Sequence, residues 1–413
     1  MPSSLIHATV RHLEQVPSID SPAELPELST LIQALERVPD PRGQRGTRYS
    51  LVFLLTASVV ALLCGARSLL GLARWIRNAD RQVLERLGLR PGARWTAPAD
   101  STLGRTWRDV DADALDDALG HWLAAILAAG QQSAAPEGPH VAGVSLDGKV
   151  MRGAAKAGTD QPHLVAAVDQ ATGVVLGQRA VEVKRGEITA FSSVLDTLDL
   201  SGRIVTADAL HTQRDHARYL HERGAFYLFP VKANQPGLLA ALDRLDWENT
   251  PVSHATVEQR RGRTERREVT VLPAPADLPF PHAAQVLLIE RYVTGRGDGK
   301  IHASAELAVT SIPWQLAGPA LLASLVRGQW VVETVHMIRD VVYREDASRV
   351  RTGQSPRVMA ALRNTAISII SLMGWTGITE ANDHYRDHPE HALQAIGLTT
   401  PEITQRDQFR LAS

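Results

Sequence analysis

The sequence predicts an all-α N-terminal domain followed by a mixed α+β or α/β domain built on one sheet with flanking helices. Three observations predict it. From residue 29 to about 130 the apolar residues recur at helical spacing, beginning with Leu31, Ile32, Leu35 and Val38. After a stretch of small residues, β-rich runs appear at 141–146, 163–168 and 174–183, separated by Gly or Asp turns. Two more runs, 204–207 and 226–231, then alternate with helical segments at 187–198 and 211–223.

Size and composition bound what such a chain can be. With 413 residues it has room for two or three domains and a sizeable core. A formal charge of −1 rules out a global basic field, so any nucleic-acid surface must come from local segregation of charge. The single cysteine, Cys64, excludes an internal disulfide framework and a multi-cysteine zinc site, in keeping with a reducing cytoplasm. The apolar run 51–64 falls short of the roughly 20 residues that a bilayer requires, so it predicts a buried helix and no membrane partner. Arg11 and Glu14 interrupt the one candidate for a secretory leader.

Taken in order, residues 1–28 carry Pro2, Pro17, Pro22 and Pro26 and predict an N-terminal arm. The helical domain spans 29–130, with a turn at Pro39-Asp-Pro-Arg-Gly43 and a helix near 68–87 bearing Arg74, Arg77 and Arg81 on its polar side. Asp100 or Ser101 is a natural N-cap for a short helix presenting Thr102 and Arg105. A helix–turn–helix contacting DNA phosphates and a plain bundle with solvated arginines both fit this segment.

Residues 131–140 read as a linker. In the next domain, 141–375, three strands, helix, strand, helix, strand is the ribonuclease H-like order of a mixed five-stranded sheet. A β-rich insertion occupies about 242–313 and holds Arg260, Arg261, Arg263, Arg266 and Arg267 among glutamates, where a solvated face competes with a DNA-contacting one. One long helix is predicted over 319–343 and an apolar helix packed on the sheet over 359–373. Residues 376–413 form a C-terminal tail with a short helix near 391–396.

The chemistry gathers on three carboxylates. The runs Val144-Ser-Leu-Asp147 and Val205-Thr-Ala-Asp208 both end on an aspartate, the first followed at once by a glycine, which puts both aspartates at strand ends. An Asp-Gly hairpin turn is the competing reading of the first. Glu333 lies on a helix with His336 and Asp340 on the same face, and Glu345 and Asp346 follow as competitors for the third place. Three carboxylates from distant segments can hold two divalent cations, Mg²⁺ or Mn²⁺, for in-line phosphoryl transfer. Lys149, Arg152, Lys184, Lys232, Arg344, Arg349 and Arg351, with Arg105 in the helical domain, are candidates for DNA phosphates. His211, three residues past Asp208, reads as a structural partner of that carboxylate, with contact to substrate or to the metal's surroundings as the alternative, and Trp330 either covers the site, stacks on a base or belongs to the core.

The segments Leu146-Asp-Gly-Lys-Val-Met-Arg-Gly153, Lys184-Arg-Gly-Glu-Ile-Thr-Ala190, Thr206-Ala-Asp-Ala-Leu-His-Thr-Gln213, Val231-Lys-Ala-Asn-Gln-Pro236, Trp330-Val-Val-Glu333 and Tyr343-Arg-Glu-Asp-Ala-Ser-Arg349-Val-Arg-Thr-Gly353 occur in this order. In that order and spacing the chain resembles DDE transposases of the H-repeat-associated (ISAs-one) insertion-sequence family, from about residue 29 to 398. The helical domain resembles the family's associated N-terminal domain through Pro39-Asp-Pro-Arg-Gly43 and Ser101-Thr-Leu-Gly-Arg105.

The resemblance implies Asp147, Asp208 and Glu333 as the triad, and cleavage and strand transfer at element ends as the activity. It departs in Gln329-Trp330, where the family has a His-Trp pair, and in Glu333-Thr334, where it has Glu-Asn. Met337 replaces a common aromatic, and Asp340 stands where the wider group has lysine. The expected partners are double-stranded DNA and a second copy of the chain on DNA. A domesticated or decayed relative that binds DNA without cutting, and a ribonuclease H-like nuclease or resolvase, are the alternatives.

Overall fold

The computed structural model describes residues 30–43, 47–91, 95–133, 141–155, 162–181, 186–260, 262–295 and 300–398. The arm at 1–28, most of the linker at 131–140, Lys184 and Arg261 lie outside them. The described chain divides into a helical unit, 30–132 with 339–398, and a sheet unit, 133–338.

The helical unit opens with α1 (Leu31–Leu35), α2 (Leu51–Leu63), α3 (Leu69–Asn78), α4 (Arg81–Arg86), α5 (Asp100–Asp109) and α6 (Ala112–Ser133). Polar side chains close the free N–H groups at several starts: Thr30 and Gln33 form a capping box on α1, and Ser50, Ser68 and Asp80 cap α2, α3 and α4. Helix α2 is apolar all round and buried along nearly its whole length, as its composition requires. No described helix is long and apolar enough to cross a membrane. Helix α5 begins one residue earlier than the cap chemistry suggested. Ala99 is its N-cap, and Asp100 sits in the first turn accepting from Ser101 N at 2.9 Å, where the helix dipole favours an anion.

The sheet unit comprises β1 (Gly143–Val150), β2 (His163–Asp169), β3 (Val175–Val181), α7 (Gly186–Leu195), β4 (Ile204–Thr206), α8 (Arg214–Glu222), β5 (Phe226–Val231), α9 (Pro236–Asp243), β6 (His254–Arg260), β7 (Arg263–Pro273), β8 (Gln285–Gly295), β9 (Ile301–Thr310), α10 (Pro319–Gly328) and α11 (Trp330–Val341), whose last residues pass into the helical unit. The nine strands form one mixed sheet in the order β3-β2-β1-β4-β5-β9-β8-β7-β6. β1, β2 and β3 pair antiparallel, β1, β4 and β5 parallel, and β9 joins β5 antiparallel. The strands within 242–313 therefore extend the same sheet. Helix α10 packs over it through Leu322 and Leu325, against Val141, Ile204, Leu228, Val269 and Leu287.

Two sequence expectations are corrected here. The single helix over 319–343 is two, broken at Gln329. Strand β1 does not end at Asp147 but runs on to Val150, because β2 keeps pairing with it, Asp147 opposite Ala166 and Lys149 opposite Leu164. The hydrogen-bond ladder overrides the turn preference of Asp-Gly.

The chain finishes with α12 (Ser355–Leu372), α13 (Ile378–Asp387) and α14 (Pro389–Ala395). α12 packs on α2 and α5 where a sheet partner was expected. Its apolar surface completes the cover that α2 needs on every side. Leu31 N donates to Ile396 O at 3.1 Å, tying the start of the described chain to its end. Within this unit Glu345 is buried between Arg339 and Arg363, at 2.6 and 2.9 Å.

Candidate active site

The site grows from two parallel neighbours. Ser145 on β1 lies opposite Thr206 on β4, the last paired position, and Asp147 and Asp208 each follow two residues later at the same end of these parallel neighbours. Adjacent strands lie about 4.8 Å apart. β4 ends at Thr206 while β1 continues, so Asp147 sits beside the mouth left by its shorter neighbour. Asp208 is exposed and caps the short 3₁₀ turn Ala209–His211, its Oδ1 accepting from Leu210 N at 3.0 Å. Side chains alternate along a strand, so Ser145, Asp147 and Lys149 share one face of β1.

Helix α11 supplies the third group. Glu333 stands in its first turn, where the unpaired N–H groups favour a carboxylate. Its pKa is nevertheless raised, first by partial burial and then by the Asp147 carboxylate facing it. One turn on, His336 is buried with Nδ1 3.4 Å from Asp147 Oδ2. Glu345, the competing candidate, is held instead by two guanidinium groups.

Beneath the carboxylates runs a buried polar relay that sequence reasoning missed. Gln170 Nε2 donates to Ser145 Oγ at 3.0 Å and to Thr206 Oγ1 at 2.8 Å. Thr206 Oγ1 donates to Gln329 Oε1 at 2.5 Å, and Gln329 Nε2 to Leu146 O at 3.0 Å. Ser145 Oγ donates to Gly328 O at 2.9 Å. The relay therefore fastens both aspartate-bearing strands to the break between α10 and α11. Gly143 and Gly328 leave room for Gln170: a Cβ at either would approach its Oε1 to 2.3 or 2.1 Å. Gln329 stands at one of the positions that departs from the family pattern. The faint signal was a glycine–polar pair inside an apolar helix; nothing local marked Gln170.

The basic candidates divide. Lys149 lies on the Asp147 face but is only 8% exposed. Arg152 is exposed in a 3₁₀ turn (Arg152–Ala154) just after β1. Lys232, at the end of β5, pairs with Glu306 at 2.9 Å. Arg344, Arg349, Arg351 and Arg105 are exposed in the helical unit, Arg344 with φ of 52°. In the 242–313 strands, Arg266 pairs with Glu268 and Arg267 with Glu265 and Glu258. These pairs, two within β7 and one across to β6, account for Arg266 and Arg267 of the cluster. His211 is buried against Phe191 and His216, so packing accounts for it as well. Trp330 is half exposed rather than in the core, and lines a groove of about 1050 Å³ with Lys232, Arg267 and Arg327.

Residues 142–369, more than half the chain, match the transposase DDE domain, and residues 32–123 match the domain associated with it. The chain belongs to the DDE transposases. It is 28% identical to "Putative transposase YncI" of Escherichia coli O157:H7, over 83% of this chain and 87% of that one. It is 24% identical to "H repeat-associated putative transposase YhhI" of Escherichia coli K12, over 84% and 91%. These relatives place this DNA transposase in the H-repeat-associated group. Among solved structures, a piggyBac transposase synaptic complex with hairpin DNA aligns over 99% of this transposase and 84% of that chain. Its TM-score of 0.39 and 9% identity are too low to carry an argument. DDE transposases as a family use divalent metal ions, and the oxygen donors of Asp147, Asp208 and Glu333 suit such ions.

Proposed function

We propose that Asp147, Asp208 and Glu333 are the catalytic triad of this transposase and bind two divalent cations, Mg²⁺ or Mn²⁺, to cleave DNA at insertion-sequence ends and join them to target DNA. The observation that carries the reading is the gathering of three carboxylates, Asp147 and Asp208 at the same end of two parallel neighbouring strands and Glu333 close enough to Asp147 for its charge to be felt. Like charges held together are unfavourable alone and favourable around a cation. Two such ions, when bound, activate the attacking water or DNA 3′-hydroxyl and neutralise charge on the departing oxygen.

The chain's own residues do the positioning. His336 steadies the Asp147 carboxylate from one side. The Gln170–Thr206–Gln329 relay keeps the two strand segments and α11 in fixed relation, and misplacement by about 1 Å can cost roughly 100-fold in rate. Arg152 and Lys232, with Lys184 outside the described residues, are proposed to hold phosphates at the site, and half-exposed Trp330 to stack on a base.

The strand order β3-β2-β1-β4-β5 supports reading these five strands as a ribonuclease H-like core. Residues 29–130 would then be the DNA-binding helical domain, with Arg105 on phosphates, and exposed Arg344, Arg349 and Arg351 would add further phosphate contacts. Strand transfer joins two ends at one place, so the working form on DNA is a homodimer.

The test is cleavage of DNA carrying the element's own flanking ends with Mg²⁺ or Mn²⁺. The parent should cut at the terminus, while Asp208→Ala should bind the same DNA without cutting. Equal cleavage by both proteins would overturn the assignment.

A further inference from the structure

The last helical turn carries a cluster that the transposition chemistry does not use. His384 is in the final turn of α13, His388 joins α13 to α14, and Glu390 and His391 occupy the first turn of α14. His388 breaks the helix, with φ −129° and ψ 71°, and hydrogen bonds on either side hold the joint, His388 N donating to His384 O at 2.8 Å and His391 N to His388 O at 3.1 Å. The three imidazoles form a nearly equilateral triangle, with centroids 5.0, 5.1 and 5.2 Å apart.

Centroid spacings of that size occur around a metal ion, and the ligand atoms already gathered are those of His388, Glu390 and His391, with His384 joined through His391. With metal–nitrogen bonds of about 2.0–2.1 Å and tetrahedral angles, ligand atoms lie roughly 3.3 Å apart and ring centroids roughly 5 Å apart. His384 Nε2 and His391 Nδ1 are 2.9 Å apart, facing one another. Ligand atoms of His388, Glu390 and His391 all lie within 4.8 Å of each other. The Glu390 carboxylate is 3.5 Å from His388 Nδ1, and both side chains are half exposed, so an ion can enter from solvent. His384 packs against the Trp375 ring at 4.9 Å, which fixes one imidazole in advance.

We propose that His384, His388 and His391, with Glu390, form a second metal site selective for a late first-row divalent ion, Zn²⁺ foremost, that clasps the α13–α14 joint. Imidazole nitrogen prefers Zn²⁺, Ni²⁺ or Cu²⁺ over Mg²⁺, so this site and the carboxylate triad sort metals by ligand type.

The test is calorimetric titration of Zn²⁺ into the full chain with Mg²⁺ in excess. The parent should bind one equivalent with micromolar or tighter affinity and melt at a higher temperature. The double variant His384→Ala/His391→Ala should lose at least tenfold in affinity and the melting shift with it. His388→Asn, a single change at an exposed position, should weaken binding while keeping the far-ultraviolet spectrum of the parent. Asp147→Asn/Glu333→Gln should leave the Zn²⁺ equivalent in place. Absence of binding by the parent, or binding unchanged by the histidine variants, would overturn the proposal. Loss in the carboxylate variant alone would assign the ion to the triad and overturn it equally.

Discussion

Glu333 and Glu345 lie twelve residues apart, on either side of the end of α11, and their surroundings are opposite. Glu345 is buried and clasped by Arg339 and Arg363, with hydrogen bonds to Nε and Nη2 of one and Nη1 of the other. Glu333 is exposed to solvent and faces a second carboxylate, with no arginine among the causes of its shifted pKa. A carboxylate that holds a fold together is matched by cations of the protein. On the proposed assignment, Glu333 keeps a charge that the protein's own cations do not match, and a metal ion would match it. Proximity in sequence says nothing about which is which; the partners decide.

The comparison can be broken by exchanging effects between the two. The largest expected effect is on rate: Glu333→Gln, like Asp147→Asn and Asp208→Asn, should lower metal-dependent cleavage by roughly 10³-fold, measured on end-bearing DNA, with the fold intact. Next comes stability. Glu345→Ala leaves two buried guanidinium groups without their anion and should cost about 3–5 kcal/mol, read from the shift of the urea midpoint. A parent-like midpoint would show that the pair does no structural work.

A smaller effect tests the relay under the site. Gly328→Ala drives a Cβ into Gln170 Oε1, so it should cost about 1–3 kcal/mol of stability and lower the cleavage rate roughly tenfold. Gln170→Leu should affect rate similarly, by releasing Ser145 and Thr206. Unchanged kinetics in both would remove the relay from the mechanism.

The smallest effects concern charge at Glu333. Its folded pKa is raised, so its ionised form is disfavoured by folding. The penalty is present above the folded pKa and is relieved as pH falls through it. Without metal, Glu333→Gln should therefore stabilise the fold at neutral pH by no more than about 1 kcal/mol, because solvent screens the pair, and this is read as a small rise in melting temperature. Protons also compete with the ion for this carboxylate. Mn²⁺ affinity should begin to fall at a higher pH than for an ordinary glutamate, which a titration series across the acid range would detect.

Much of this was legible in the sequence, and what was not shares one cause. Short β-rich runs gave the first five strands, and helical spacing gave α2 and the polar face carrying Glu333 and His336. The misreadings all turn on partners far away in the chain. Asp147-Gly148 has the local chemistry of a turn, yet β2 pairs straight through it. The break at Gln329 has no proline and only a tolerable glycine. What accompanies it is Gln170, 159 residues earlier, filling the space beside Gly328. Helix α12 is apolar enough for a sheet or a bundle, and only the bare circumference of α2 selects the bundle. Lys149 reads as a candidate for DNA phosphates, and its own burial, at 8% exposure, comes from packing that the local sequence does not show.

The most direct measurement compares Glu333→Gln and Glu345→Gln in one preparation, scoring Mg²⁺-dependent end cleavage and thermal melting together. The expected result is a well-folded Glu333→Gln protein that binds end DNA and does not cut, beside a less stable Glu345→Gln protein whose folded fraction still cuts. Cleavage by Glu333→Gln at the parent's rate, or loss of cutting in a fully stable Glu345→Gln, would contradict the account.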